Sequence, residues 1–496
     1  MCGIAGFVRA TPGSDPPAVL DRMTGSIRHR GPDGSGVFRD PFASLGHRRL
    51  SIIDVAGGSQ PMFNEDGQVA IVYNGEIFNH SDLRPELEAA GHRYTTHCDT
   101  ETIVHAYEQY GPACVSRFRG MFSFAIWNRN NRKLFCARDR LGIKPFYYYF
   151  DGRVFVFASE IKALLEHPAI SARFEQDALP EYLAFGYLSG ERTLFSGIRK
   201  LMPGHHLTVE PALGDRLSLH IEKYWDLPAS SGDAHHQSDA GWIKECRQRL
   251  EETVRMRLMS DVPLGMFLSG GVDSSAIAAL MKRMVSGPIK TFAVGYKEAA
   301  YSELGYARQV ATHIGADHRE VSVGMEEFFD VLPRLICHED EPITWPSSVS
   351  LYFVSKLAAR EVKVVLTGEG SDELFAGYSR YRFYDLNQRW ASTYGLLPSF
   401  ARSWIRGQVA ESPLLSAALR RKLQHTFVGR AETVEALYLD NFYSAFPAGE
   451  QETLLAGASA PSAYGAFLSH WNAHADLPII PRMLFADQKT YLVELL

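Results

Sequence analysis

The six cysteines of this 496-residue chain, at positions 2, 98, 114, 136, 246 and 337, include no Cys-x-x-Cys pair. Their scatter argues against a disulfide framework and against structural zinc, leaving most of them as small buried apolar residues. No run of about 18 apolar residues occurs, and the opening Met1-Cys2-Gly3-Ile4-Ala5-Gly6 lacks the basic start and long apolar core of a signal peptide, so a cytoplasmic protein is expected. A net charge of -6 gives no broad basic surface for nucleic acid or an anionic membrane. No Gly-Lys-Ser/Thr follows any glycine-rich loop of the Walker kind. What remains is a chain of ordinary globular composition, long enough for about three average domains or two large ones, with a small-molecule enzyme as the natural prior.

The stretch 267–275, Phe-Leu-Ser-Gly-Gly-Val-Asp-Ser-Ser, organises the second half. An apolar run over 262–268 predicts a buried strand, and a helical pattern over 276–284 follows Asp273-Ser274-Ser275. Two glycines let backbone N–H groups approach an anion, while Ser269, Ser274 and Ser275 add hydroxyl donors at a helix N-terminus. Asp273 beside phosphate makes sense if it holds a cation, Mg²⁺ being the expected ion. The plain alternative is a strand-turn-helix with a serine cap. Ser-Gly-Gly-Val-Asp-Ser resembles the pyrophosphate-binding loop of ATP pyrophosphatases, which adenylate a carboxyl or carbonyl oxygen and release pyrophosphate.

Residues 1–205 read as short strands over 45–53, 69–73, 121–127, 134–138, 146–150 and 154–158. Helices over 81–90 and 100–110 interrupt them, the second capped by Asp99. Hairpins with few crossover helices predict antiparallel sheets with helices outside, an α+β layered domain. Cys2 is the informative residue. If Met1 is removed, its own α-amine, with a reference pKa of about 7.7–8.0, can take the thiol proton near neutrality.

Four segments, Cys2-Gly3-Ile4-Ala5-Gly6, Arg30-Gly31-Pro32-Asp33, His47 to Asp54 and Tyr73-Asn74-Gly75-Glu76-Ile77-Phe78-Asn79, resemble the class II glutamine amidotransferase domain. The resemblance implies an N-terminal nucleophile-type α+β layered sandwich with Cys2 as nucleophile. Glutamine would be bound by Arg49, Leu50, Ser51, Ile52, Ile53, Asn74, Gly75, Glu76 and Asp99, with Arg49 pairing the α-carboxylate and Glu76 and Asp99 near the ammonium. The Asn74 amide and the Gly75 N–H would form the oxyanion hole. The plain readings are a surface arginine at 49 and a helix cap at Asp99. Arg138 to Pro145 also matches, and is expected to be a structural turn and domain contact; His29 is expected to be packed.

Between 215 and 242 the composition shifts to Pro228, Ser230, Ser231, Gly232, His235, His236 and Ser238, a linker signature. A helix over 241–259 should bury Ile243, Cys246, Leu250, Val254 and Leu258. Strands over 264–268, 291–294, 318–323 and 362–366 then alternate with helices, predicting an α/β doubly wound parallel sheet whose ligand sits at the C-terminal strand ends. The last strand enters Thr367-Gly368-Glu369-Gly370-Ser371-Asp372-Glu373, where carboxylates suit Mg²⁺ better than an idle turn. Together the two loops resemble glutamine-dependent asparagine synthetases. That resemblance implies ATP lined by Leu268, Ser269, Gly270, Gly271, Asp273, Ser274, Ser275, Val294, Thr367 and Gly368. It further implies Mg²⁺ at Asp273 and Asp372, and Glu369 assisting ammonia attack on the acyl-adenylate.

Residues 2–205 are thus expected to be the glutaminase domain, 206–240 a linker, and 241–496 the synthetase domain with a helical C-terminal cover from Tyr378 onward. The family continues past the segment matching 486–492 with a basic stretch, so a C-terminally short synthetase is expected, with Arg482 or Lys489 as substitute cations. The implied activity makes asparagine, AMP and pyrophosphate from aspartate, ATP and glutamine. Small molecules are the expected partners, nucleic acid and membrane are not, and a homodimer is allowed. The alternatives are the same architecture amidating another carboxylate, on a cell-surface sugar or a secondary metabolite, and a non-catalytic binding protein that keeps the fold.

Overall fold

The computed structural model describes residues 1–13, 17–228, 237–411, 413, 415–455 and 463–496. In its N-terminal half, strands alternate side chains between two different cores. Along Val69–Ile77, Val69, Ile71, Tyr73 and Ile77 face one apolar cluster while Ala70 and Val72 face another, the period of two that a sheet covered on both faces requires. Twelve strands make two antiparallel sheets: β1 (Gly3–Arg9), β2 (Gly34–Arg39), β3 (Ala43–Arg49), β4 (Met62–Phe63), β5 (Val69–Ile77), β6 (Gly120–Asn128), β7 (Lys133–Arg138), β8 (Tyr147–Phe150), β9 (Val154–Ala158), β10 (Ile198–Lys200), β11 (His205–Ala212) and β12 (Arg216–Lys223). Their orders are β10-β8-β9-β1-β3-β2 and β12-β11-β7-β6-β5-β4.

Ile4, Val8, Leu45, Trp127, Phe155 and Leu207 fill the space between the sheets. Helix α1 (Ala18–Ser26) packs Val19, Leu20 and Met23 on the outer face of the first sheet. Helices α2 (His80–Ala89) and α3 (Asp99–Tyr110) cover the second with Leu87, Ile103 and Val104. The result is the expected α+β sandwich, four layers deep. Because Ile4, Ala70 and Val72 point inward, the alternation carries Cys2, Asn74 and Glu76 toward the same gap, at the end where β1 begins.

Three expectations for this half need correction. The strand expected over 45–53 stops at Arg49, because 50–58 folds into a loop whose carbonyls bind the Arg49 guanidinium. Asp99 does not cap α3: Cys98 holds the cap position, and the Asp99 carboxylate accepts instead from Tyr73 Oη and Ile77 N, both at 2.9 Å. The linker does not begin at 206, since β11 pairs with β7 and β12 completes a hairpin that joins the sheet. Residues Ser230, Ser231, Gly232, His235 and His236 of that linker lie outside the described residues.

The second half contains four parallel strands, β13 (Leu264–Phe267), β14 (Lys290–Tyr296), β15 (Asp317–Val323) and β16 (Val364–Leu366), in the order β15-β14-β13-β16. This is the expected α/β doubly wound arrangement. The chain builds outward from β13 on one side and returns on the other, so the strand order reverses between β13 and β16. Ligands of open parallel sheets bind at such a switch point. The helix Asp239–Arg257 buries only Val254 of its predicted stripe, and Ile243 is 68% exposed, so only its C-terminal part packs on the sheet domain.

The C-terminal helices cover the loop end of the sheet. Gln488 Nε2 donates to Glu373 O, and Leu492 lies against Gly370. Their own core is aromatic, with Tyr381, Tyr384, Tyr438, Phe467 and Trp471 packed on Phe185 and Tyr187 from the first half. At its centre the fully buried Asp487 accepts from Tyr443 at 2.6 Å, Tyr381 at 2.7 Å, Tyr438 at 3.1 Å and Arg380 at 3.1 Å. Removing one member of a buried charge pair strands the other. Asp487→Ala should therefore cost about 3–5 kcal/mol in denaturant unfolding of the C-terminal half. An unshifted transition would show that the aromatic shell alone stabilises Arg380.

Candidate functional site

A cavity of about 300 Å³ surrounds Cys2, the lower end of the range for small-ligand sites. The first domain supplies Arg49, Leu50, Ile52, Ile53, Asn74, Gly75, Glu76, Asp99 and Lys144 to its wall. Lys363, Val364 and Val365 reach it from the second domain. Ser51 stands behind this wall, its N–H donating to Asp33 Oδ2 at 2.9 Å.

Cys2 is held from several sides. Arg30 Nε donates to its carbonyl at 2.9 Å, and Leu50 N–H points at Sγ at 3.4 Å. Burial pushes its thiol pKa up, against the lowering effect of the Leu50 N–H and Arg49. A thiol kept neutral needs a nearby base before it can attack. Burial also pushes the Met1 amine, which lines the same cavity, down to about 5.

Asn74 is 1% exposed, yet neither Nδ2 nor Oδ1 has a hydrogen-bond partner. A buried amide left unsatisfied costs about 1–3 kcal/mol, so such a group in a cavity is a standing invitation to a ligand oxygen. Gly75 cannot be larger: a Cβ there would lie 2.1 Å from the Met121 carbonyl. Arg49 sits at the rim, donating to the carbonyls of Asp54 at 2.6 Å and Val55 at 2.9 Å.

The Glu76 carboxyl is pushed up to about 7, first by burial and then by the charge of Asp99. Asp99 is raised by burial too, despite the Tyr73 and Ile77 donors. Two crowded carboxylates suit a cationic group that restores their charge. Lys144, whose own pKa is lowered by burial, is part of this balance.

The second set of residues meets at the switch point. Gly271 caps the helix Val272–Met284 without a side chain, and Ser269 Oγ lies 3.0 Å from Ser274 Oγ and accepts from Gly271 N at 3.2 Å. Gly270 has φ +83, and a Cβ there would strike Ala307 N at 2.5 Å, so the loop needs glycine twice over. Ser275 Oγ is buried without a partner. The loop after β16 abuts this one: a Cβ on Gly368 would lie 3.1 Å from Ser274 N.

Asp372 is raised by burial and by the charge of Asp273, which places the two carboxyls within each other's field. Glu369, exposed as a residue, has its carboxyl raised by partial desolvation and then by Glu373 and Asp372. An acidic, all-oxygen donor set of this kind fits a hard divalent cation. Leu268 is buried in the core and Val294 half-buried on the next strand, so they contribute shape rather than polar contacts.

Of the basic residues near the end of the chain, Lys489 is paired with Asp226 at 2.6 Å and Arg482 donates to the Trp471 carbonyl while lying over its ring. Neither is aimed at the acidic loops. The cation that acts on Asp372 and Glu373 is Arg380, which the sequence pattern did not single out. Lys363 was also missed, as was Lys144 in its role as a cavity wall; only Lys144 carried a signal, its place in the 138–145 motif. That motif is otherwise the expected structural turn, with Asp139 accepting from the N–H groups of Phe122, Leu141, Ile143 and Lys144. His29, expected to be packed, is instead exposed, meeting Glu160 at 2.9 Å and standing edge-on to His338.

The chain matches the family model of a glutamine amidotransferase domain over residues 1–225 and that of asparagine synthase over residues 245–496. Asparagine synthetase (glutamine-hydrolyzing) 1 of Bacillus subtilis is 38% identical over 385 residues, covering 77% of this chain and 60% of that protein. Asparagine synthetase (glutamine-hydrolyzing) 3 of the same organism is 33% identical over 441 residues, covering 85% and 69%. A putative asparagine synthetase of Methanocaldococcus jannaschii is 34% identical over 401 residues, covering 76% of each. The chain thus spans about 60% of the length of the first of these relatives.

The raised Glu76 carboxyl makes stability depend on pH. A folded pKa of about 7 against an ordinary 4.5 means the folded state holds the proton more tightly, so this stabilisation is present below about 4.5 and lost as pH rises through about 7. Glu76→Gln cannot ionise and should remove that fall, exceeding the parent protein by roughly 1–3 kcal/mol above pH 7. Thermal unfolding of both proteins from pH 4 to 9 measures it, and parallel curves would contradict the shift.

Proposed function

The chain belongs to the glutamine-hydrolysing asparagine synthetase family, and from that premise we propose that it couples glutamine hydrolysis at Cys2 to ATP-dependent amidation of aspartate. Glutamate, asparagine, AMP and pyrophosphate are the products. One observation carries the coupled reading: the strand β16 that walls the Cys2 cavity with Val364 and Val365 runs directly into the acidic loop at 367–373.

In this reading the Arg49 guanidinium takes the α-carboxylate of glutamine while Glu76 and Asp99 face its ammonium. With Met1 removed, the α-amine of Cys2, whose ordinary pKa of about 7.7–8.0 lies near neutrality, accepts the thiol proton as Sγ attacks the side-chain carbonyl. The oxyanion accepts from the Asn74 amide and the Gly75 N–H, which is why the Asn74 amide is left without an internal partner. Collapse of the tetrahedral intermediate releases ammonia, and water cleaves the thioester.

At the other site Ser269, Gly270, Gly271, Ser274 and Ser275 cradle the phosphates at the helix N-terminus, with Leu268, Val294, Thr367 and Gly368 shaping the nucleotide pocket. Asp273 and Asp372 would hold Mg²⁺, which when bound neutralises charge on the leaving pyrophosphate. Glu369, raised in pKa, is suited to take the proton that ammonia must lose after attacking the acyl-adenylate. Six free thiols accord with a cytoplasmic setting.

Cys2→Ala tests the division of labour. Asparagine formation from glutamine should fall to background, whereas formation from ammonium salts should persist within a few-fold. Glutamine-dependent turnover that survives removes Cys2 from its role. For Asp273→Asn, ATP–pyrophosphate exchange should drop by about 10²–10³, with glutaminase turnover retained; equal loss of both would point to a damaged fold instead.

A further inference from the structure

Four side chains unconnected with either reaction converge on the outer layer of the N-terminal domain. Glu65 lies in the turn between β4 and β5, His92 follows α2, and His105 and Glu108 sit one turn apart on α3; one donor atom of each falls within 4.8 Å of every other. His105 is 1% exposed and neither ring nitrogen has a hydrogen-bond partner. Its Nδ1 stands 3.7 Å from Glu65 Oε1 and 3.6 Å from Glu108 Oε2. His92 Nδ1 stands 3.9 and 4.0 Å from the same two oxygens.

These separations are too long for hydrogen bonds. They approach the edge of a tetrahedron built on metal–ligand bonds of about 2.0–2.2 Å, which is about 3.3–3.6 Å. For these four pairs the difference is a few tenths of an ångström, and the remaining pairs, all within 4.8 Å, must draw in as well.

The surrounding contacts orient the donors. His92 Nε2 lies 3.3 Å from Gln109 Oε1, an oxygen that can only accept, so Nε2 carries the proton and Nδ1 presents its lone pair to the centre. His105 Nε2 faces Glu101 Oε1 at 3.7 Å, and Glu101 is itself fixed by donors from Thr95 and Thr96. That carboxylate stands on the side from which metal-bound imidazoles are usually backed, and would have to close by a few tenths of an ångström to accept the Nε2 proton. Asn64 Nδ2 holds the other oxygen of Glu108 at 2.6 Å, and Arg93 N donates to Glu65 at 2.8 Å. Glu65 and Glu108 are partly exposed, which gives an ion a way in.

We propose that Glu65, His92, His105 and Glu108 form a structural site for a divalent transition-metal ion of the zinc class, pinning the β4–β5 turn and the segment before α3 to α3 itself. Two imidazoles and two carboxylates suit Zn²⁺ and disfavour Mg²⁺. Asp99 and Thr100, at the start of α3, line the Cys2 cavity, so the ion would brace the helix that carries them. The competing arrangement is a protonated His105 among Glu65, Glu101 and Glu108, whose charges hold it up at about 9.

The full-length protein, stripped with chelator and desalted, is titrated with ZnCl₂ against a chromophoric chelator and its metal content counted. One Zn²⁺ per chain is expected, raising the thermal midpoint and giving with Co²⁺ the intense visible bands of a tetrahedral centre. His92→Ala and Glu108→Gln, both at partly exposed positions, should each weaken binding by at least about 100-fold and abolish the thermal shift, while glutamine hydrolysis is retained. Uptake should also weaken as pH falls and protons compete for the imidazoles. Uptake that survives His92→Ala and vanishes in Cys2→Ala assigns the metal to the thiol and overturns the site. A protein that binds no Zn²⁺ identifies the protonated-histidine cluster and overturns it equally.

Discussion

A three-residue strand joins the two sites, and its position constrains both. β16 pairs with β13 on one side only, and at about 3.3 Å per residue it spans roughly 10 Å. At its start Lys363 N donates to Pro263 O while Lys363 Nζ meets Asp33 Oδ2 at 2.6 Å, across the domain boundary. At its end the chain turns into Thr367-Gly368-Glu369. This short strand, hydrogen-bonded to β13, thus links the Asp33 contact at one end to the acidic loop at the other. The loop that holds Arg49 is tied to the same domain: Asp54 N donates to Asp261 Oδ2 at 2.7 Å and Asp261 N to Ile52 O at 3.1 Å. The Cys2 cavity is therefore a composite of both domains, although every catalytic group proposed for it comes from the first.

The two sites solve opposite electrostatic problems. Around Cys2, buried Glu76 and Asp99 carry raised pKa values and leave room for a cation. Arg49 stands at the rim, bonded to carbonyls that compete weakly with a carboxylate. Around Asp372 the excess is negative, with Arg380 as its cation, and Arg380 is held in place by Asp487 and by rings at 3.8 to 4.8 Å. The aromatic C-terminal core thus has an electrostatic duty as well as an apolar one. It fixes a guanidinium within range of the acidic loop.

Much of the fold was legible because periodicity survives in it. The antiparallel sandwich and the parallel sheet follow from alternating and continuous apolar runs, and the Ser-Gly-Gly loop follows from glycine at a positive φ before a helix. What failed did so for tertiary reasons. Asp99 looks like a cap in sequence, yet Tyr73 and Ile77 outbid the local N–H groups for its carboxylate. The hairpin at 205–223 reads as the head of a linker because β12, at the sheet edge, buries only Leu217 and leaves His220, Ile221, Glu222 and Lys223 exposed.

The residues proposed for function divide along the same line. Motif residues such as Cys2, Asn74, Asp273 and Asp372 stand in short contiguous patterns, so their types and spacing could be read directly. Lys363 and Arg380 lie in no motif, and only the packing of one domain on another, or of helices on a loop, brings their charges to bear. The cluster at Glu65, His92, His105 and Glu108 is the extreme case. A cysteine census argues against structural zinc, yet a site built from histidine and glutamate escapes that test altogether. Its four members are drawn from a turn, a connecting segment and one helix face, so only the second sheet and its covering helices, once folded, bring them within reach of a single ion.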